Sequence, residues 1–188
     1  MNKPLLILLL GKRGAGKSTI ASCFEKQYNI QHYEMSDIMK EIRKEKGKEE
    51  LPLRVFVSTM HKQHGLYFGV EYIQKRNYFR GNNIVISGIR NRGEIEYIIR
   101  ENEKYRVELI YLESPIFVRL SRVLCRGTRE SIWQFIMEEL YATKWGNRQI
   151  KKCAHVIENR DTVKKIIEEI KLNILCQAMP CPQYTPDD

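Results

Sequence analysis

The sequence has few features of secreted, membrane-spanning or zinc-ribbon proteins. Its 188 residues include five cysteines, an odd number without a Cys-x-x-Cys pair. This argues against a zinc ribbon or a disulfide framework and favours a reducing compartment. The longest apolar run, Pro4 to Leu10, is far too short to cross a bilayer. No small-residue cleavage site follows that run, so we expect the first buried strand of a cytoplasmic protein, with no membrane partner.

Acidic residues are outnumbered, because 23 Asp and Glu stand against 32 Lys and Arg and leave a net charge of +9. This balance favours anionic ligands. Nucleic acid is one such partner, but an enzyme that binds nucleotide phosphates also collects arginines, and we favour that second explanation. The hydrophobic content of 43% is ordinary for a globular protein, and the length suits one α/β domain.

The most specific motif is Gly-x-x-x-x-Gly-Lys-Ser, which occupies residues 11–18 as GKRGAGKS. It lies between the apolar run and a segment of helical periodicity, as a phosphate-binding loop requires. Its glycines let backbone N–H groups approach an anion, and the positive end of the next helix adds to the attraction. We therefore predict that the chain binds a nucleoside triphosphate. The loop residues predicted to bind ATP are Gly11, Lys12, Arg13, Gly14, Ala15, Gly16, Lys17, Ser18 and Thr19.

Beyond the loop, short apolar segments alternate with segments of helical periodicity. The pattern predicts strands at residues 5–10, 30–33, 84–87, 107–112 and 156–157. Alternation of this kind implies right-handed crossovers and a five-stranded parallel sheet flanked by helices. We expect Ser36 to cap the second helix, and Glu94 to face water on the helix after the third strand. One domain should cover residues 1–175, with a small helical lid at about 119–146 and a flexible tail at 176–188.

Charged side chains follow three of the predicted strands, at the edge of the sheet where ligands of such folds bind. In the helix after the fourth strand, arginines three and then four residues apart share one face. That face is either a solvated stripe or a cationic surface over the nucleotide, where it would stabilise phosphoryl transfer. The candidate residues at these strand ends are Asp37, Arg90, Arg119, Arg122, Arg126 and Arg129.

The order of these motifs resembles the nucleoside monophosphate kinase group of P-loop proteins. Within it, dephospho-CoA kinases, phage-type deoxynucleotide monophosphate kinases and an archaeal group of uncharacterised dephospho-CoA-kinase-like proteins have the most similar pattern. The similarity covers about residues 5–172. It rests on a highly specific phosphate loop, GKRGAGKST, and on three moderately specific stretches: EMSDIMKEIRKEKG, VISGIRNRGEIEYI and RLSRVLCRGTRE.

On the nucleotide side, the resemblance implies that Lys17 and Ser18 serve ATP and Mg²⁺. Lys17 would reach the β- and γ-phosphates, and the Ser18 hydroxyl would be a metal ligand. Arg126 and Arg129 would close over the transferred phosphoryl group from the lid. Asn159 follows the last strand, where kinases of this type contact the adenine, although capping of the loop is an alternative.

On the acceptor side, the resemblance implies that Arg90 binds the acceptor's phosphate. Asp37 would lie near the acceptor, as a metal-linked carboxylate or as a proton acceptor. One position departs from the pattern, because relatives commonly have an acidic residue where this chain has Ser87 before Gly88. A serine hydroxyl carries no charge, so Asp37 would have to act alone or the activity would be reduced.

The resemblance therefore implies a Mg²⁺-ATP-dependent phosphotransferase with a small nucleotide-like or phosphorylated acceptor. Three alternatives stay open. The chain could be a dephospho-CoA kinase, a polynucleotide 5′-kinase, which the positive charge favours, or an ATP-binding regulatory module with little turnover, which Ser87 favours. No arrangement of residues specifies a base or a sugar. The acceptor, the choice between ATP and GTP and the oligomeric state are left open.

Overall fold

A five-stranded parallel sheet forms the centre of the fold. The computed structural model describes residues 3–76, 78–79, 82–125, 132–144, 147–160 and 162–175. The strands are β1 (Leu5–Leu10), β2 (Gln31–Glu34), β3 (Ile84–Ser87), β4 (Arg106–Glu113) and β5 (His155–Glu158). They lie in the order β2-β3-β1-β4-β5, and every pair of neighbours is parallel. The predicted α/β fold class is confirmed.

Helices connect and cover the strands. They are α1 (Lys17–Tyr28), α2 (Met35–Glu45), α3 (Leu53–His64), α4 (Phe68–Lys75), α5 (Arg92–Glu101), α6 (Ile116–Leu124), α7 (Ile132–Lys144), α8 (Asn147–Lys152) and α9 (Val163–Leu175). Across the described ranges, none of them is both long enough and apolar enough to cross a membrane. The predicted tail, 176–188, lies outside the described residues.

The expected cap of α2 is wrong by two residues. Ser36 lies inside the helix, because β2 ends at Glu34 and α2 begins at the next residue with no loop between them. Glu34 occupies the N-cap position in an extended conformation, but its side chain makes no capping hydrogen bond. Its carboxylate is therefore available to contact the neighbouring strand and the phosphate loop.

The core lies on both faces of β1. Successive side chains of a strand point to opposite faces, so Leu6, Leu8 and Leu10 pack with residues of α2 to α5, whereas Ile7 and Leu9 pack with residues of α1 and α9. This two-sided burial explains why the strand reads as a continuous apolar run.

The strand order changes direction around β1. From β1 the chain first builds β2 and β3 on one side, and it then crosses to β4 and β5 on the other. In open parallel sheets the crevice for ligands lies at this change of direction, outside the carboxyl ends of the strands. The phosphate loop leaves β1 at that point.

Candidate functional site

The phosphate loop is held tightly against its neighbours. Gly11, Gly14 and Gly16 all have positive φ angles, of 131°, 76° and 93°. A Cβ atom on Gly16 would overlap the side-chain amide of Asn159, which donates a hydrogen bond to the carbonyl oxygen of Ala15 at 2.6 Å. Residue 16 must be a glycine because a side chain there would displace the Asn159 amide. That amide fixes the loop from the carboxyl end of β5. Asn159 is buried and so braces the loop.

Lys17 places its charge inside the curve of the loop. Its Nζ donates hydrogen bonds to the carbonyl oxygens of Gly11 at 2.8 Å and Lys12 at 3.1 Å. The ammonium group is therefore next to the backbone that would surround a bound phosphate. Ser18 and Thr19 follow on the first turn of α1, and both are exposed.

A carboxylate from β2 lies against the loop serine. The Ser18 hydroxyl donates to Oε2 of Glu34 at 3.0 Å, and the Ser87 hydroxyl donates to the same oxygen at 2.6 Å. Glu34 and Ser87 are register partners on adjacent strands. Gly88 has a φ of 87°, and a Cβ there would overlap the Glu34 carboxylate. The acidic charge that position 87 lacks is thus supplied from the neighbouring strand.

Sequence reasoning missed Glu34. It ended the second strand at Tyr33 and began the helix after Ser36, so Glu34 belonged to neither element. The available signal was its place as the last residue of a strand whose neighbour ends at Ser87. A one-residue extension of the strand would have brought the two side chains together at the edge of the sheet.

Asp37 occupies a different environment from the one expected of a metal-linked carboxylate. Its side chain is 67% exposed and accepts a hydrogen bond from Nζ of Lys40 at 2.6 Å. The carboxylate in contact with Ser18 is that of Glu34. The assignment of Asp37 to the acceptor stays a prediction.

Arg119 is buried on α6, so the solvated-stripe alternative does not hold for it. Only 4% of the residue is exposed. Its guanidinium makes a bidentate hydrogen-bonded ion pair with the carboxylate of Glu139 on α7, and its Nε donates to the Ser114 carbonyl oxygen at 3.0 Å. Arg122, on the same helical face, lies 3.4 Å from the Gly14 carbonyl. The two arginines attach α6 to the phosphate loop.

Two acidic side chains of α7 contact the cations of the loop. Glu139 also accepts a hydrogen bond from Lys12 at 2.9 Å, and Glu138 accepts one from Arg13 at 3.0 Å. Burial alone would raise the pKa of Glu139, but the hydrogen bonds from Arg119 and Lys12 outweigh it and lower that pKa. These two residues, the α7 carboxylates, partly neutralise the positive charge around the loop. Arg126 and Arg129 lie outside the described residues.

Arg90 follows β3 and has its backbone fixed by Glu94. The Glu94 carboxylate accepts hydrogen bonds from the N–H groups of Arg90 at 3.1 Å and Asn91 at 3.3 Å. The Asn91 side chain in turn accepts from the Glu94 N–H, which completes a capping box at the start of α5. The expectation that Glu94 faces water is wrong, because this reciprocal cap leaves only 4% of it exposed. The Arg90 side chain is exposed at the carboxyl end of the sheet.

Stability should depend on pH through Glu94. Burial raises its pKa from 4.5 to about 7, despite opposing backbone hydrogen bonds. Folding therefore favours the protonated carboxyl, and its contribution is complete below pH 4.5 and is lost as the pH rises through 7. The loss amounts to about 3 kcal/mol of the free energy of unfolding. Glu94→Gln should lack this fall between pH 4.5 and 7 in urea unfolding, whereas parallel profiles for variant and parent would contradict the assignment.

A family model described as an AAA domain matches residues 10–131, from the end of β1 to beyond α6. The chain belongs to this family. The chain therefore has the P-loop type of nucleotide-binding core, and the predicted resemblance to nucleoside monophosphate kinase-like P-loop proteins is confirmed.

Two relatives of the chain are UPF0200 proteins. A UPF0200 protein of Pyrococcus horikoshii is 25% identical over 185 residues, which cover 90% of this chain and 99% of the relative. A UPF0200 protein of Aeropyrum pernix is 25% identical over 134 residues, which cover 70% of this chain and 71% of that protein. The similarity to the first relative thus extends well beyond the phosphate loop.

Solved kinases share the fold of the chain. A shikimate kinase from Acinetobacter baumannii has a TM-score of 0.61 at 18% identity, over 94% of this chain and 96% of the kinase. A gluconokinase from Sinorhizobium meliloti has a TM-score of 0.61 at 14% identity, over 95% of this chain and 100% of the kinase. At these identities the comparison establishes the architecture alone.

Proposed function

We propose that the chain is a Mg²⁺-ATP-dependent phosphotransferase that moves the γ-phosphate to a small nucleotide-like or phosphorylated acceptor. The observation that carries the proposal is the grouping of the Lys17 ammonium, the Ser18 hydroxyl and the Glu34 carboxylate at one end of the sheet. Phosphoryl transfer needs an anion cradle, a cation at the β- and γ-phosphates and a carboxylate near the metal or the attacking hydroxyl. The odd number of cysteines without a Cys-x-x-Cys pair favours a reducing compartment, so the reaction would take place in the cytoplasm.

The residues at the loop fit a magnesium ion. Mg²⁺ prefers oxygen ligands and is usually bound through one or two carboxylates together with substrate phosphates and water. Ser18 and Glu34 offer a hydroxyl and a carboxylate 3.0 Å apart. In the described ranges no group of three or more His, Cys, Asp or Glu could hold a metal alone, which favours binding together with the nucleotide. When bound, the ion would neutralise charge on the phosphates, while Lys17 and the loop N–H groups orient them.

The remaining roles are assigned from the sequence pattern and from placement. Arg90 would bind the acceptor's phosphate, and Asp37, one turn into α2 from Glu34, would contact the acceptor. Arg126 and Arg129 would cover the transferred group. Asn159 would serve ATP binding by holding the loop, since its amide contacts the Ala15 carbonyl.

Release of ADP in a coupled assay, screened over acceptors, tests the proposal. The panel should contain nucleoside monophosphates, dephospho-CoA, 5′-hydroxyl oligonucleotides, shikimate and gluconate, the last two because the structural neighbours are named for them. We expect one acceptor class to stimulate ADP release above the rate with water. Stimulation by dephospho-CoA or by oligonucleotides would select those two alternatives, and no stimulation by any acceptor would contradict the kinase assignment.

A second candidate function is an ATP-binding regulatory module with little turnover. The α7 carboxylates favour it, because they contact Lys12, Arg13 and Arg119 around the loop. An anionic ligand must compete with them for these cations. In that case ATP would bind and α7 would change its contacts, with ADP release remaining at the background rate.

Arg90→Ala should mainly raise the KM for the acceptor. Its side chain is exposed at the sheet edge, so the change removes a charge without opening the core. A hydrogen bond to a charged group contributes about 1.5–3 kcal/mol, which predicts a rise in KM of about tenfold to a hundredfold. Arg100→Ala, on the exposed last turn of α5, the helix that follows Arg90, is the matched control. A fall in kcat with an unchanged acceptor KM would assign Arg90 to the transferred phosphate instead.

A further inference from the structure

A chain of hydrogen bonds extends from Glu34 away from the phosphate loop. Ser87 donates to Oε2 of Glu34 at 2.6 Å, and Nε2 of His32 lies 2.8 Å from the Ser87 hydroxyl oxygen. Ser87 is fully buried and His32 is half-buried. His32 and Glu34 are two residues apart on β2 and so share a face, while Ser87 is the register partner of Glu34. The sheet itself brings the three side chains together.

The chain has one direction. A carboxylate only accepts hydrogen bonds, and a serine hydroxyl has a single proton to donate. That proton is directed at Glu34, so the Ser87 oxygen must accept from His32, whose Nε2 carries a hydrogen. His32 therefore orients Ser87, and Ser87 orients Glu34.

This support is needed most when the nucleotide is bound. The Ser18 hydroxyl also holds the Glu34 carboxylate, at 3.0 Å, but Ser18 is the loop residue expected to turn to the metal. Once it does, the bond from Ser87 is the contact that keeps Glu34 in place. Gly88 leaves room for the carboxylate beside this strand end, because a Cβ there would overlap it.

We propose that Ser87 and His32 are positioning residues that hold the Glu34 carboxylate at the metal side of the phosphate loop. This inference rests on the proposed function, since it assigns Glu34 to the metal. It also gives the serine at position 87 a role of its own. Ser87 stands where the kinases that this chain resembles commonly have an acidic residue. Here Glu34, on the adjacent strand, carries the charge, and its carboxylate needs a hydrogen-bond donor to hold it in place.

The experiment measures binding of Mn²⁺, as a probe for the metal, to the protein saturated with ADP. Ser87→Ala and His32→Leu should each weaken Mn²⁺ binding about tenfold, since loss of a partner that orients a metal ligand typically costs tenfold to a hundredfold. ADP binding without metal should be unchanged. The two links act in series, so the double variant should be no weaker than either single variant. His32→Gln keeps an N–H donor and should restore most of the affinity.

Matched controls separate positioning from general damage. Ser58→Ala and His64→Gln change the same residue types on exposed turns of α3 and should leave Mn²⁺ binding at the parent value. Glu34→Gln should abolish the metal-dependent part of binding. If it does so while Ser87→Ala binds Mn²⁺ like the parent, the positioning role is wrong. If Glu34→Gln itself has no effect, the assignment of Glu34 to the metal is wrong and the inference falls with it. If Mn²⁺ binding depends on Glu34, Ser87 and His32 as expected but no acceptor receives a phosphoryl group, the kinase proposal is wrong. The positioning of a metal-binding carboxylate by Ser87 and His32 would then still stand.

Discussion

We expect Lys17→Ala to reduce phosphoryl transfer at least about 1000-fold while the chain stays folded. The Nζ atom of Lys17 bonds to loop carbonyls rather than packing in the core, so its loss removes the charge beside the phosphates and leaves the apolar contacts of β1 and α1 intact. ADP release and the midpoint of thermal unfolding, measured on the same preparation, check both halves of the statement.

Lys26→Ala is the matched control for Lys17, because it removes the same charge from the exposed last turn of α1. Its rate should equal that of the parent. Unchanged ADP release in Lys17→Ala would show that the loop at residues 11–18 is not where transfer occurs. An unfolded variant would instead show that the loop lysine is needed for the fold.

Glu34→Gln should lower kcat about 100-fold or more while ATP still binds through the loop. Glutamine keeps the size of the side chain and one acceptor oxygen for Ser18 and Ser87, so the change removes charge with little loss of packing. The measurement is kcat for ADP release together with the Kd for ATP in the absence of metal.

Asp37→Asn is the change that corresponds to Glu34→Gln at the other carboxylate of this region. Comparing the two variants tests which carboxylate serves the metal. If Glu34 serves the metal and Asp37 serves the acceptor, Asp37→Asn should raise the KM of the acceptor and leave metal dependence unchanged. The reverse pattern, with Asp37→Asn as the variant that loses metal dependence, would return the metal role to Asp37 and contradict the structural assignment.

The sheet was predictable because its signals are local. Continuous apolar runs indicate strands that are buried on both faces. The glycine spacing of the phosphate loop indicates a turn that is specific to phosphate-binding folds. Ser36 illustrates the limit of such signals. A serine before an amphipathic helix suggests a cap, but β2 runs directly into α2 and leaves no loop for a cap to close.

The site was less predictable because it depends on register and on distant contacts. Glu34 is placed at the site by the pairing of β2 with β3, where its partner Ser87 lies 53 residues away. The contact between Lys12 and Glu139 joins residues 127 apart and depends on how α7 packs over the loop. No local pattern encodes either contact. Glu94 is different, since the spacing Asn91-x-x-Glu94 was already a capping signal in the sequence.

The fate of the γ-phosphate decides whether this chain transfers a phosphoryl group. With ATP labelled at the γ-phosphate, Mg²⁺ and the acceptor panel, we expect the label on one acceptor class. That transfer should be lost in Lys17→Ala and in Glu34→Gln. Label that stays in ATP, or appears only as inorganic phosphate with every acceptor, would show that the chain is not a phosphotransferase for these acceptors.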